Sequence, residues 1–363
     1  MKVFIVTGSS GGHIFPAVSL AEELNSLDQG TQILLLLPER SKVSLAIPAG
    51  CAIAYSSAPR LVLAFNRECV LSLWGISKAS WQDLRLLLNF KPDVAVGFGS
   101  LDSLPLILFA WFFRIKTIIH EQNVIPGRAN RLLAKLVDKV AVSFRQTFPY
   151  FGVSGEKIVL SGNPLRKTIN RLERKVAAGY FGFQENRFTI LVCGGSQGSS
   201  KINAVFADAL SALPGKENLQ LIHLSGKQDC ELLKKRYSKE GVRAQVFDFF
   251  AQMHCAYSAV DLVICRAGAT TVSELIFFGL PALLIPYPYA HAHQMANARV
   301  LEEAGCALII EDSKLNAESL QELLGRLSSS VQELKKMRQC YKKFELANAA
   351  SKLALEVKKL NAL

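Results

Sequence analysis

The sequence predicts an α/β protein built as two doubly wound domains, and three observations carry that expectation. Lys2 to Thr7 has the pattern of a short buried strand, followed by the turn Gly8-Ser9-Ser10-Gly11-Gly12-His13 and a helix from about Pro16 to Leu27. The arrangement recurs near residue 188, where Phe188 to Cys193 reads as a strand, Gly194 to Ser199 as a glycine loop and Lys201 to Leu213 as a helix. In the third stretch, Asp261 to Asn297, the apolar run Leu262 to Cys265 breaks at Arg266-Ala267-Gly268 and a helical pattern opens at Ala269. A length of 363 residues accommodates two domains of ordinary size. The expectation is therefore two Rossmann-like domains, each a mostly parallel sheet with helices on both faces, whose strand-end loops face each other across a cleft.

In the first half, further strands are expected at Gln32 to Leu37, Asp93 to Gly97, Thr117 to Glu121, Lys139 to Phe144 and Lys157 to Leu160. The strand near Ile119 runs into His120-Glu121-Gln122-Asn123, four hydrogen-bonding side chains where an open α/β sheet binds its ligand. Lys157 to Leu160 runs into Ser161-Gly162-Asn163-Pro164-Leu165-Arg166, a turn that closes the first domain. In the second half, strands are expected at Gln220 to Leu224, Gln245 to Phe249, Leu262 to Cys265, Ala282 to Ile285 and Ala307 to Ile310. The division expected is 1–163, 164–340 and a helical tail, 341–363. Its spacing leaves open whether it packs back on the first domain or extends the second.

A helix start offers unpaired N–H groups and the positive end of the dipole, so the turn at Ala269-Thr270-Thr271 suits a phosphate. Glu274, one turn in, has two readings: acceptor for a ribose diol, or simple complement to the dipole. The polar segment His291 to Asn297, beyond the next strand, adds amide and imidazole groups, and together these imply a nucleotide carrying a polar group such as a sugar. Neither glycine loop reads GxGxxG, which argues against a dinucleotide dehydrogenase. Each is still suited to anions, a tight packing turn being the alternative. The second domain, with Ser196, Ala269 to Thr271 and Glu274, would then hold a nucleotide diphosphate, and the first, with Ser10 to His13 and His120 to Asn123, a second substrate. A hydroxyl nucleophile needs a proton acceptor; His13 suits that role, Glu121 is its rival, and a structural or phosphate-binding imidazole is the third reading. The chain has no DxD pair, the usual carboxylates for a diphosphate-bridging metal, so no metal is expected and leaving-group charge falls to backbone amides.

The composition, 50% hydrophobic and 20% charged, is that of a globular protein. Eight cysteines stand singly, without a CxxC pair, and read as reduced thiols in a cytosolic protein. The N-terminal apolar stretch is too short for a signal peptide, and the longest apolar run, Leu104 to Phe113, falls short of the ~20 residues a membrane span needs. The formal net charge of +12 leaves nucleic acid or anionic lipid as partners, but no nucleic-acid module is visible and none is expected as partner. From Leu61 to Phe113, Leu73, Trp74, Ile76, Trp81, Leu84, Leu87 and Leu88 are interleaved with Lys78 and Arg85, and Trp111-Phe112-Phe113 precedes Arg114 and Lys116. Apolar side chains ringed by cations mark a face that rests on an anionic membrane; the alternative is a domain core with ordinary surface cations.

Taken in order, GSSGGHIFPA, HEQN, GNPLR, GGSQGS, CRAGATTVSE and HQMANA resemble the motifs of the MurG-type glycosyltransferases of peptidoglycan synthesis, over essentially the whole chain. The resemblance implies a GT-B fold that needs neither cofactor nor metal. It implies transfer of N-acetylglucosamine from UDP-GlcNAc to the 4-hydroxyl of the muramyl sugar on undecaprenyl-pyrophosphoryl-MurNAc-pentapeptide (lipid I), giving lipid II with inversion at the anomeric carbon. Donor contacts are implied from Ser10, Gly11, Gly12, Asn123, Arg166 and Ser196, from the backbone near Phe250, from Ala269, Thr270, Thr271, Val272, Ser273 and Glu274, and from Gln294. His13 and Glu121 sit where the family places candidate acceptor-side and base residues. Also implied is a peripheral place on the cytoplasmic face of the cell membrane, through Trp74, Lys78, Trp81, Arg85, Trp111 and Arg114. UDP-GlcNAc, lipid I and the anionic membrane surface are the partners implied, with other cell-wall synthesis proteins as candidates. The sequence departs from the pattern in reading TGSSGGH for GGTGGH, Ser100-Leu101 for glycine and tyrosine, and His293 for a second glutamine. Transfer to another lipid by a related GT-B enzyme, and a silent nucleotide-sugar-binding membrane scaffold, are the competing readings.

Overall fold

The computed structural model describes residues 1–41, 50–57, 67–195, 198–289, 292–345 and 348–362, with the backbone alone at 67–71 and 73. The chain forms two units, Met1–Arg166 with Ala347–Leu363, and Lys167–Leu346. The first is built on seven parallel strands: β1 (Lys2–Val6), β2 (Gln32–Pro38), β3 (Cys51–Ser56), β4 (Val94–Gly97), β5 (Lys116–Glu121), β6 (Lys139–Val142) and β7 (Ile158–Leu160). Their order is β3-β2-β1-β4-β5-β6-β7, so the winding reverses between β1 and β4.

Because strand side chains alternate, β1 sends Val3 and Ile5 to one face and Phe4 and Val6 to the other. The first face is covered by the helices Gly11–Leu27 and Ala349–Asn361, through Ile14, Leu20 and Leu24 on one and Leu353, Val357 and Leu360 on the other. The second is covered by Arg67–Phe90, Leu104–Phe112 and Arg128–Leu133, through Leu87, Leu106, Ile107, Ala110 and Leu133. Burial on both sides is why these strands read as nearly continuous apolar runs.

The second unit holds six parallel strands: β8 (Thr189–Cys193), β9 (Gln220–Leu224), β10 (Arg243–Phe247), β11 (Leu262–Cys265), β12 (Ala282–Leu284) and β13 (Ala307–Ile309). Their order, β10-β9-β8-β11-β12-β13, reverses between β8 and β11. Its core joins Ile190 and Val192 of β8 to Ile202, Phe206 and Leu210 of the helix Ser200–Ser211 and to Leu320 and Leu324 of Ala317–Ser329.

Two details depart from the sequence reading. β3 was not anticipated: CAIAYS is an edge strand, mostly half-buried or exposed, and apart from Ile53 its apolar residues are not the branched aliphatic ones that mark its neighbours. β10 lies two residues earlier than expected, because the chain leaves the sheet at Asp248 and Phe249 is exposed. The two units divide after residues 166 and 346. Arg166 stays with the first unit, its guanidinium 4.4 Å from the centroid of the Phe15 ring. Tyr341 stays with the second, donating a 2.6 Å hydrogen bond to Leu280 O.

The last helix closes the first core, so Leu353→Ala is expected to cost the first domain about 2–5 kcal/mol. The check is its urea unfolding midpoint, and one unchanged by the substitution would contradict the packing described.

Candidate active site

The first constellation gathers at the carboxyl ends of β1, β4 and β5, on both sides of the reversal, the usual ligand position of a doubly wound sheet. After β1 the chain turns through Gly8 to Ser10 into the helix Gly11–Leu27. The turn packs tightly, since a Cβ on Gly8 would sit 2.5 Å from Ser100 Cβ. The first helical bonds are the His13 and Ile14 N–H groups to Ser10 O, which leaves the Gly11 and Gly12 amides ahead of the ladder. Ser10 stands at the N-cap, yet its side chain makes no capping bond; Oγ lies 2.7 Å from His13 Nδ1.

After β4 the backbone takes positive φ at Gly99 (77°) and again at Ser100 (71°). Ser100, with ψ 156°, occupies a region almost reserved for glycine, at a cost of about 1–3 kcal/mol. A network holds it there: its Oγ donates to Asp102 Oδ2 at 2.9 Å, its carbonyl accepts from Ser103 Oγ at 3.0 Å, and Asp102 is ion-paired to Arg40. Ser100 thus adopts a conformation ordinarily left to glycine.

At the end of β5, His120 is fully buried. Its Nε2 donates to Gly162 O at 2.9 Å and its Nδ1 accepts from Gln122 Nε2 at 3.1 Å, while burial pushes the imidazole down to about 4, so it is neutral. Glu121 is buried too, with both carboxylate oxygens engaged. Oε1 accepts from Asn123 N (3.0 Å) and Nδ2 (3.3 Å), and Oε2 from Gly127 N (3.1 Å) and Asn130 Nδ2 (2.8 Å). The side-chain amide of Asn123 is thereby turned toward Glu121. His13, half-buried, has its basicity lowered by burial and raised again, more weakly, by the charges of Glu121 and Asp102. Of the other polar groups nearby, Gln122 Oε1, Asn130 Oδ1 and both amide atoms of Asn163 are buried without partners, an unusual condition for a plain core.

The second constellation lies at the carboxyl ends of β8, β11 and β12. Gly268 caps the helix Ala269–Phe278 without a side chain, and the first helical bond runs from Val272 N to Gly268 O at 2.9 Å. The amides of Ala269, Thr270 and Thr271 precede it, and Thr270 Oγ1 is shielded from solvent with no hydrogen-bond partner. Val272 is buried in the core, and Ser273 Oγ bonds back to Ala269 O at 2.9 Å, so neither side chain is aimed outward. Glu274 is buried and accepts from Tyr257 Oη at 2.9 Å. Gln294 Oε1 accepts from Ala267 N at 3.1 Å and Tyr287 N at 2.9 Å, which fixes its carbonyl and leaves its amide nitrogen as the group on offer. Arg266 ties three loops together through Ser199 Oγ, Ile285 O and Asp312 Oδ1, at 3.1, 3.1 and 2.5 Å.

Gly198, in the glycine loop after β8, is fixed by its neighbours. Gly198, at φ 79°, has no room for a side chain, since a Cβ would lie 2.3 Å from Ser225 O. That carbonyl accepts from Asn203 Nδ2 at 2.8 Å; Asn203 Oδ1 accepts from His223 Nε2 at 3.0 Å. Ser196 and His291 lie outside the described residues. Phe250, half-buried, belongs to an aromatic cluster with Phe247 and Phe181, its ring centroid 4.8 and 5.5 Å from theirs.

The apolar and cationic residues singled out on Arg67–Phe90 divide by helical face. Ala79 and Leu87 are core, whereas Trp74 (67% exposed), Lys78, Trp81 (56%), Arg85 and Leu88 form an outward stripe at helical spacing. Lys78 Nζ lies 5.8 Å from the Trp74 ring centroid and the Arg85 guanidinium 5.4 Å from that of Trp81. Trp111, Phe112 and Phe113 are exposed at the end of Leu104–Phe112, beside Arg114. The expected residues 58–66 and the Leu73 side chain lie outside the description. Among the described residues, no helix is long and apolar enough to cross a membrane, and no three His, Cys, Asp or Glu side chains gather as a metal site.

Sequence reasoning missed the supporting residues Arg40, Asp102, Asn130 and Tyr257. Only Asn130 carried a local signal, an amide in the first turn of the helix that follows the HEQN loop.

Two family models match the chain, the glycosyltransferase family 28 N-terminal domain over residues 3–142 and the family 28 C-terminal domain over 189–353. A UDP-N-acetylglucosamine--N-acetylmuramyl-(pentapeptide) pyrophosphoryl-undecaprenol N-acetylglucosamine transferase of Thermodesulfovibrio yellowstonii is 38% identical, over 93% of this chain and 92% of its own. A protein of the same name from Desulforamulus reducens is 34% identical, over 99% of both. The crystal structure of Acinetobacter baumannii MurG is similar with a TM-score of 0.78 and 29% identity, over 99% of this chain and all of that one. A UDP complex of Staphylococcus aureus MnaA, 13% identical with a TM-score of 0.70, shares the fold.

His223, which supports the glycine loop, is lowered by burial from 6.5 to about 3. Below pH 6.5 the unfolded chain takes a proton there that the folded one refuses. The contribution is therefore full above pH 6.5 and declines on acidification toward pH 3. The first domain gains the same term from His120, partly offset by Asp83, whose burial raises it to about 6 so that the folded state takes the proton first. Urea midpoints of the second domain at pH 7.5 and 5.0 should differ, with a slope of up to about 1.4 kcal/mol per pH unit. Equal midpoints would show that His223 protonates freely in the folded state.

Proposed function

The chain belongs to the family 28 glycosyltransferases that act as UDP-N-acetylglucosamine--N-acetylmuramyl-(pentapeptide) pyrophosphoryl-undecaprenol N-acetylglucosamine transferases, and from that premise we propose how its residues divide the reaction. It is a hexosyltransferase that moves N-acetylglucosamine from UDP-GlcNAc to the muramyl 4-hydroxyl of lipid I, forming lipid II. The second domain takes the donor: the Ala269 to Thr271 amides and the Thr270 hydroxyl receive the diphosphate, Glu274 the ribose, and the Gln294 amide nitrogen the sugar. The observation that carries this assignment is Thr270 Oγ1, a shielded hydroxyl without a partner at the positive end of a helix, within the CRAGATTVSE motif.

The first domain takes the acceptor and its proton. Between the two candidate bases, geometry favours His13. Glu121 already accepts four N–H bonds, and taking a proton would break at least one of them. The acceptor oxygen bonds to the anomeric carbon as the bond from that carbon to the phosphate oxygen breaks. The hydroxyl proton passes to His13, and UDP leaves with its charge met by the amides of the second domain. A single displacement of this kind inverts the anomeric carbon. In this reading the stripe from Trp74 to Leu88, with Trp111 to Arg114, rests on the anionic face of the membrane that carries the lipid substrate, and the protein works peripherally on the cytoplasmic side.

The test of the reaction is transfer from radiolabelled UDP-GlcNAc to lipid I and, separately, to diacylglycerol. Label in lipid II is expected; label in the glyceride, or in neither, would favour the other lipid acceptor or the silent scaffold. His13→Ala is expected to lower kcat by about 10²–10⁴-fold with the UDP-GlcNAc dissociation constant within about twofold and the melting temperature unchanged. Glu121→Ala should lose stability along with activity; a fully active His13→Ala variant would move the base elsewhere. For the membrane face, reversing Lys78 and Arg85 together to glutamate is expected to release the protein from anionic vesicles while leaving turnover of a soluble acceptor intact. Unchanged sedimentation would make the stripe an ordinary surface.

A further inference from the structure

Ser10 falls within a motif whose resemblance assigns it to the donor, but its side chain is committed elsewhere. The hydroxyl lies 2.7 Å from His13 Nδ1 and forgoes the capping bond that a serine at a helix N-cap normally makes. His13 makes this side-chain hydrogen bond through Nδ1; its Nε2 has no acceptor or donor among the described residues. The imidazole then has two tautomers to choose between. With the proton on Nδ1, the N–H is satisfied by Ser10 Oγ, the exposed serine hydroxyl turns its own proton to solvent, and the Nε2 lone pair stands open. With the proton on Nε2, a half-buried N–H is left without a protein acceptor, which is the more costly arrangement. The same Nδ1–H bond persists when Nε2 gains a proton, so the ring need not turn during the reaction.

We propose that Ser10 is a positioning residue for the proton acceptor: by accepting the Nδ1–H of His13 it fixes the tautomer and ring orientation that present Nε2 to the acceptor hydroxyl. The inference rests on the reading of His13 as the base. In the step it serves, the hydroxyl proton moves to Nε2 as the oxygen bonds to the anomeric carbon, and the imidazolium keeps its bond to Ser10. The charged and titratable groups around that imidazolium are Glu121 at the end of β5, Asp102 in the turn after β4 with its partner Arg40, and neutral His120. The two carboxylates stabilise the positive ring, and Ser10 decides which nitrogen receives the proton. The role needs a hydroxyl and little else, so threonine should serve, which matches the threonine of the family pattern at this place.

The experiment joins spectroscopy to kinetics. In ¹⁵N-histidine protein, the signals lost in His13→Gln identify His13; they are expected to show a protonated Nδ1 and a pyridine-like Nε2. Ser10→Ala should mix the tautomers and lower kcat about 5- to 50-fold with the KM for UDP-GlcNAc within twofold; Ser10→Thr should restore both. In a His13→Gln background, Ser10→Ala should cost nothing further, because the two act as one unit. A protonated Nε2 in the unsubstituted protein would overturn the proposal. So would a Ser10→Ala variant with unchanged kcat and a raised donor KM, which would return Ser10 to the donor site. A fully active His13→Gln would bring down the base reading and this inference together. An inactive His13→Gln with additive loss from Ser10→Ala would bring down this inference alone.

Discussion

Every strand in both sheets runs parallel to its neighbours, and that constraint organises the rest. Parallel strands must be joined by crossovers, so all strand-to-helix turns of a sheet fall at one end and both faces are buried under helices. Polar side chains that cannot enter such an interior collect at that end, together with the unpaired amides of the helices that start there. The glycine turns after β1 and β8, the HEQN segment after β5 and the turn after β11 are one solution applied repeatedly. Where the strand order reverses, neighbouring helices leave to opposite faces and the turns part, which opens the space that a ligand needs.

Within the first domain, Glu121 converts that general arrangement into a particular one. Four N–H donors converge on its carboxylate, from Asn123, Gly127 and Asn130, so one buried charge sets the path of the whole loop into the helix Arg128–Leu133. Asn130 and Gln122 in turn hold the His120 carbonyl and ring. A carboxylate held by four donors is fixed in place. The second domain uses Arg266 in the complementary sense, a cation whose fork joins Ser199 of the glycine loop, the end of β12 and Asp312.

Much of this was legible because it is local. Strand, turn and helix follow one another within a dozen residues, so both glycine turns, the helix start at Ala269 and all six strands of the second sheet could be read from apolar runs and their punctuation. What escaped reading depends on contacts between distant residues. Arg40 and Asp102 pair across 62 positions, and nothing near either announces the other. The edge strand β3 takes its structure from pairing with β2 rather than from its own composition. The tail helix Ala349–Asn361 has the same amphipathic pattern whichever surface it covers, and only the complementary apolar face of Gly11–Leu27 decides the matter. In the active-site motifs, residue types showed which chemistry is available, but whether Glu121 or His13 is free to use it depends on how many donors each already satisfies.

In the proposed role of His13 as the base, the two carboxylates beside it offset part of the burial that makes the ring less basic. A base must be unprotonated before the reaction, and burial secures that by disfavouring the charged ring. It must also hold the proton well while the new bond forms, and Glu121 and Asp102 supply that by favouring the imidazolium. Both contributions act on the same charged ring: desolvation disfavours the imidazolium, and the charges of Glu121 and Asp102 offset part of that cost. For this to work the carboxylates must not move to meet the ring. The four donors on Glu121, and Arg40 with Ser100 on Asp102, impose that. The strained serine at position 100 belongs to the same network, since its Oγ donates to Asp102 Oδ2.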